Sequence, residues 1–250
     1  MKLRFIDSVR PNKTGVLDGL VDPKWHDDEC QRLADYLESA TPVGYALSRT
    51  PECTMCDFVL RQNLTLTDGV YEWSQILSHY VGAHKVRLPE SIVDDMLNRL
   101  DELRAAPKDL GWWRDQMNGV TTLGRGLRAL GSLPPNANDD LEGLVDPTWS
   151  DNESEALSDY LRFGTVLDCD PETESTCTMC RFTLQNQSVL TDGTYVWSQI
   201  LFHYVGAHKV HLPELAVSDI LNRFHGLDEA DLDWDWWQAL LGGNPAESDN

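Results

Sequence analysis

Positive charge is scarce in this chain: 20 Lys and Arg stand against 41 Asp and Glu, a formal net charge of −21. Nonspecific binding to DNA or RNA is mostly counterion release by Lys and Arg, so nucleic acid is not the expected general partner. Long apolar runs are missing as well. None approaches the ~18 residues of a membrane span, and no membrane partner is expected. The stretch Met1 to Arg10 has no apolar segment of the kind a secretory leader carries, which points to an intracellular protein. Cysteine is sparse, six in 250 residues; in a reducing compartment paired cysteines read as metal ligands or redox groups rather than structural disulfides. Core material is not lacking. An apolar share of 41% with nine Trp predicts folded domains, and the length has room for two of about 100 residues each.

The chain repeats itself at an offset of 124 residues without a gap. Gly19-Leu-Val-Asp-Pro returns as Gly143-Leu-Val-Asp-Pro, and Trp112-Trp113 as Trp236-Trp237, with about half the intervening positions identical. The shared residues concentrate in Cys53-Thr-Met-Cys56 and Cys177-Thr-Met-Cys180, and in Thr67 to Glu90 and Thr191 to Glu214. The acidity is uneven, net −7 over 19–118 and −15 over 143–250. The organisation expected is an N-terminal tail at 1–18, a repeat at 19–117, a Gly- and Pro-rich linker at 118–142, a second repeat at 143–241 and a tail at 242–250. Part of the linker, with Leu123, Leu127, Leu130 and Leu133, is open to docking as a short helix.

Each repeat carries Cys-x2-Cys and, 22 residues on, His-x4-His. Two thiolates and two imidazoles are what a tetrahedral zinc ion needs. The expected ligands are Cys53, Cys56, His79 and His84, then Cys177, Cys180, His203 and His208, for two structural Zn²⁺ ions. Residues five apart on a regular helix are rotated by about 140°, so the His pair predicts a helix that loosens at Gly82. Four protein ligands close the shell, whereas catalytic zinc keeps an open position. The chain has no H-E-x-x-H and no H-x-E before the cysteines, the patterns of zinc proteases and deaminases. A thiol redox pair needs a βαβ context that is not read here. Cys30 and Cys169 have no counterpart in the other repeat, nor has His211, so none is expected to ligate.

Local patterns place these residues. Asp22-Pro23 and Asp146-Pro147 read as helix starts, with Trp25, Leu33, Tyr36 and Leu37 on one face. Ser39 to Glu52, where the repeats diverge most, reads as a surface loop, and so does Phe163 to Thr176. Phe58, Leu60, Leu64 and Leu66 alternate, and Thr67-Asp68-Gly69 reads as the turn of a hairpin reaching Tyr71 and Trp73. Helices follow from Ser74 and after Pro89. The fold class expected is α+β: two tandem zinc-binding modules, each a helix, a zinc-linked β-hairpin and two or three further helices.

The string T-D-G-x-Y-x-W, then H-Y-V-x2-H-x-V-x-L-P, following Cys-x2-Cys, resembles a zinc-binding module of small uncharacterised proteins, bacterial ones especially. The resemblance covers Cys53–Glu90 and Cys177–Glu214, under a third of the chain. It implies a shared metal module and brings no activity with it. The function expected is a non-enzymatic, acidic protein-interaction module or adaptor with a protein partner. Trp112, Trp113, Trp234, Trp236 and Trp237 are the candidate partner-binding residues, since Trp dominates binding hot spots. The alternatives are a zinc-finger-type nucleic-acid-binding protein, which needs a basic face formed by Lys24, Arg61, Lys85, Arg87 and Arg99, and a zinc hydrolase or thiol redox enzyme.

Overall fold

A computed structural model of the chain describes residues 2–6, 18–45, 52–60, 64–120, 126–131, 141–228, 230–233, 236–237 and 240. The elements, in order, are β1 (Lys2–Ile6), α1 (Asp27–Glu38), β2 (Thr41–Tyr45), β3 (Leu64–Thr67), β4 (Tyr71–Ser74), α2 (Ile76–His84), α3 (Glu90–Ala105), β5 (Lys108–Asp109) and α4 (Trp112–Met117). After β6 (Leu127–Leu130) come α5 (Asp151–Leu161), β7 (Thr165–Asp170), β8 (Ser175–Thr176), β9 (Thr183–Leu184), β10 (Gln187–Thr191), β11 (Tyr195–Ser198), α6 (Leu201–His208), α7 (Glu214–Asp228) and β12 (Asp231–Asp233). The structure is thus mixed α and β. No helix among the described residues is long and apolar enough to cross a membrane.

The chain divides into two units, but not at the expected boundaries. Unit 1 comprises Met1–Leu100 with Gly226–Asn250, and unit 2 comprises Asp101–His225. The division falls inside α3 and α7. Unit 1 holds a five-stranded sheet in the order β12-β1-β4-β3-β2, and unit 2 holds one in the order β5-β6-β11-β10-β7. The segment expected to be a tail therefore supplies β1, parallel to both β4 and β12. The segment expected to be a linker supplies β6, parallel to β11 and β5. That portion is a strand rather than a short helix, because Leu127, Ala129 and Leu130 are buried by sheet pairing. Leu123 and Leu133 lie outside the described residues.

Two further expectations are corrected. The divergent stretches read as loops contain the edge strands β2 and β7, antiparallel to β3 and β10. Backbone pairing holds an edge strand with little demand on side-chain identity, so sequence divergence there is not evidence of a loop. Asp22 does not open α1. Its carboxylate accepts from the Lys24 N–H at 3.0 Å and its carbonyl from the Trp25 N–H, closing a turn, and the helix starts five residues later.

Other elements follow the residue pattern. Thr67, Asp68 and Gly69 form the β3–β4 turn: Asp68 accepts from the Val70 and Tyr71 N–H groups, and Gly69 takes φ +87°. The helix after Pro89 buries Ile92, Val93, Met96 and Leu100. Each sheet presents a Trp to a neighbouring helix, α1 in unit 1 and α5 in unit 2. The Trp73 indole N–H donates to the Leu37 carbonyl at 2.9 Å, and Trp197 to that of Leu161 at 2.8 Å. Both rings are fully buried with their polar atom satisfied.

Candidate metal centres

The cysteines sit on a tight knuckle separate from the longer hairpin, so the alternation from Phe58 to Leu66 does not form a single strand. Phe58 to Leu60 close the knuckle, and Leu64 opens β3. In unit 2 the knuckle is bounded by β8 and β9, and Asn186, in left-handed backbone at φ 63°, separates it from β10. The Cys53 N–H donates to the Phe58 carbonyl at 2.8 Å, and the Cys177 N–H to that of Phe182 at 2.7 Å. These bonds turn both sulfurs of each pair toward the following helix.

The histidines come from α2 and α6. His79 and His84 are both helical, and Gly82 does not end the helix as expected. A Cβ at Gly82 would lie 3.2 Å from the Ala34 Cβ, and one at Gly206 would lie 2.6 Å from the Ser158 Oγ. The glycine lets α1 approach α2, and α5 approach α6. Termination falls to Lys85 and Lys209, each left-handed at φ 52°. Lys85 Nζ reaches back to the Trp25 carbonyl at 3.1 Å and Asp27 at 2.5 Å. Lys209 repeats this with Trp149 at 3.0 Å and Asp151 at 2.5 Å. With His84 on the last helical turn, both rings reach one point beside the helix, their centroids 5.0 Å apart and edge to face.

The eight expected ligands assemble into two groups, and within each group the four ligand atoms lie within 4.8 Å of one another. In unit 1, Cys53 Sγ is 3.2 Å from His84 Nε2, and Cys56 Sγ is 3.3 Å from the Nε2 of both His79 and His84. In unit 2, Cys177–His208 is 3.4 Å, Cys180–His203 3.1 Å and Cys180–His208 3.2 Å. A four-coordinate ion with thiolate and imidazole ligands sets S···N edges of about 3.5 Å. The groups are therefore gathered at the scale of one ion each, and the residues fit a metal.

The surroundings favour the neutral, ligating form of one imidazole in each group. Burial, then the neighbouring His84, lowers the His79 pKa below the ordinary imidazole value; burial and His208 do the same for His203. A neutral ring offers a lone pair to a cation. The Thr54 N–H donates to the Tyr80 hydroxyl at 3.0 Å, and the Thr178 N–H to that of Tyr204 at 2.9 Å, pinning knuckle to helix. The Met55 N–H points at Cys53 Sγ at 3.3 Å. Phe58 stacks on His79 at 4.0 Å and 13°, and Phe182 on His203 at 4.1 Å and 15°. Reading Phe58 as a strand residue misses that contact, although its identity in both repeats was a usable signal.

Other cysteines stay apart. Cys30 is buried against the Val81 carbonyl at 3.0 Å, its thiol pushed up chiefly by burial, and Cys169 is exposed on β7. Three of the tryptophans expected to bind a partner are core residues instead. Trp112 is 0%, Trp237 1% and Trp113 8% exposed. Trp236 is half-buried, 5.5 Å from the Tyr71 ring; Trp234 lies outside the described residues. Comparison with family models, curated proteins and solved structures finds no match to this chain.

Proposed function

We propose that the chain is a non-enzymatic zinc-binding protein whose two structural Cys2His2 sites hold an acidic protein-interaction module in shape. The observation supporting this is the pair of matched quartets, each converging within 4.8 Å. Two thiolates with two imidazoles suit Zn²⁺, and four protein donors use the position that a catalytic ion leaves for water. The bound ion would cross-link knuckle and helix, and the residues around it only orient ligands. The zinc hydrolase reading lacks an open position, and the redox reading is not favoured by cysteine pairs that sit on knuckles rather than in a βαβ unit.

The nucleic-acid reading required free basic side chains on one face. Lys85 is engaged by Asp27, Arg87 by Asp22 and Glu90, and Arg99 by Asp68 and Asp95. Arg61 lies outside the described residues. With those cations paired and a net charge of −21, a protein partner is the better reading. The test is elemental analysis of purified protein, followed by capture of partners at two salt concentrations. Two equivalents of zinc and a protein partner are expected. Absence of stoichiometric metal, or recovery of nucleic acid with steep salt loss, overturns the reading.

A further inference from the structure

The two sites have identical ligands and unequal surroundings. In unit 2 the knuckle stands on β8 and β9, paired at Ser175–Leu184 and Thr176–Thr183. Its turn is closed by the Arg181 N–H donating to the Cys177 carbonyl at 3.1 Å, with Arg181 at φ 65°. The Gln187 N–H bonds the Thr173 carbonyl at 3.0 Å and Gln185 bonds Glu174 at 2.6 Å, tying down the base of the hairpin. In unit 1 the described residues show the bridge Glu52–Val59 at the corresponding place, and positions 49–51 and 61–63, the counterparts of Thr173 to Ser175 and Gln185 to Gln187, lie outside the described residues. Among the described residues, Asp57 makes no bond corresponding to that of Arg181.

The apolar wall differs in the same direction. Phe182, over His203, is backed edge-on by Phe202 at 6.3 Å, and the Arg162 guanidinium lies 4.9 Å over the Phe202 ring. Ser78 occupies that place in unit 1. Cys177 belongs to the main core of unit 2 and is 1% exposed; Cys53 is 7% exposed in a small cluster with Ile76, Tyr80 and Val86. Release of an ion from a filled shell needs one ligand to swing away and a competing donor to enter. A locked knuckle opposes the first and an aromatic wall the second; such outer-shell partners change metal affinity about 10- to 100-fold.

Resting on the zinc reading, we infer that the sites are kinetically unequal. Cys53, Cys56, His79 and His84 form the more exchangeable site, through which metal availability acts on unit 1, and Cys177, Cys180, His203 and His208 release their ion more slowly. The experiment loads the full-length chain with two equivalents of zinc and follows transfer to excess pyridylazoresorcinol. Two phases of one equivalent each are expected, separated in rate by about tenfold. Phe202→Ser should accelerate only the slow phase, and Ser78→Phe should retard only the fast one. Each variant installs the residue that the other unit carries at that place. Cys53→Ser should delete the fast phase and leave one slow equivalent, whether or not unit 1 stays folded. Two equivalents leaving in a single phase, or Phe202→Ser accelerating the fast phase, overturns the inference and leaves the zinc reading intact. A chain that takes up no zinc overturns both.

Discussion

Glu72 is 8% exposed on β4, in register with Phe5 on β1 and Thr67 on β3. Burial pushes its carboxyl up to about 7. Its counterpart in unit 2 is Val196, fully buried. A carboxyl whose folded pKa lies above its unfolded value binds its proton more tightly in the folded chain. Its contribution to stability is present in full below the unfolded carboxyl range and is lost as pH rises toward 7. Glu72→Val is therefore expected to raise the thermal midpoint of unit 1 more at pH 8 than at pH 5.5, measured by calorimetry at saturating zinc. Equal shifts at both pH values would contradict this assignment. At this scale the two converging quartets were legible and Glu72 was not. Cys-x2-Cys with His-x4-His is a spacing that a metal explains by itself. Tyr71-Glu72-Trp73 reads as alternation with one wet face, and burial of the second face depends on residues far away in sequence.

Helices α2 and α6 turn on a glycine with two readings. Gly82 was expected to loosen the last turn, since glycine is the usual left-handed terminator. The chain instead uses it for close approach and gives the left-handed residue to Lys85, a choice invisible without knowing which helix lies alongside. Gly206→Ala is expected to destabilise unit 2 by about 1–3 kcal/mol, the range for overpacking, read from denaturant unfolding with zinc present. Gly82→Ala should cost unit 1 less, because its nearest neighbour is 3.2 Å away against 2.6 Å. The reverse order would show that the α5–α6 contact relaxes freely. Hairpin β3–β4 and helix α3 were readable because their partners, turns and caps are local. Strands β1 and β6 were not, since short parallel strands derive their stability from partners tens of residues away.

Each unit uses both halves of the sequence. Trp112, from the first repeat, packs at 5.4 Å on Tyr195 in unit 2, and Trp236, from the second, packs at 5.5 Å on Tyr71 in unit 1. Trp237→Ala is expected to cost unit 1 about 3–5 kcal/mol, the range for emptying a large aromatic site, and to leave the melting of unit 2 unchanged in a two-transition calorimetric trace. A strong chelator should lower both transitions, because binding energy at such sites is largely folding energy; an unaltered melt would argue against structural metal. The repeat was plain in the sequence, but its limits were not. The paired tryptophans marked the end of each copy without indicating which sheet they serve. That arrangement also sets an order of events during synthesis. Everything unit 2 needs has been translated once His225 is added, whereas unit 1, begun at the first residue, must wait for β12 and Trp237. Unit 2 can therefore close without β12 and Trp237, whereas unit 1 closes only once they have been supplied.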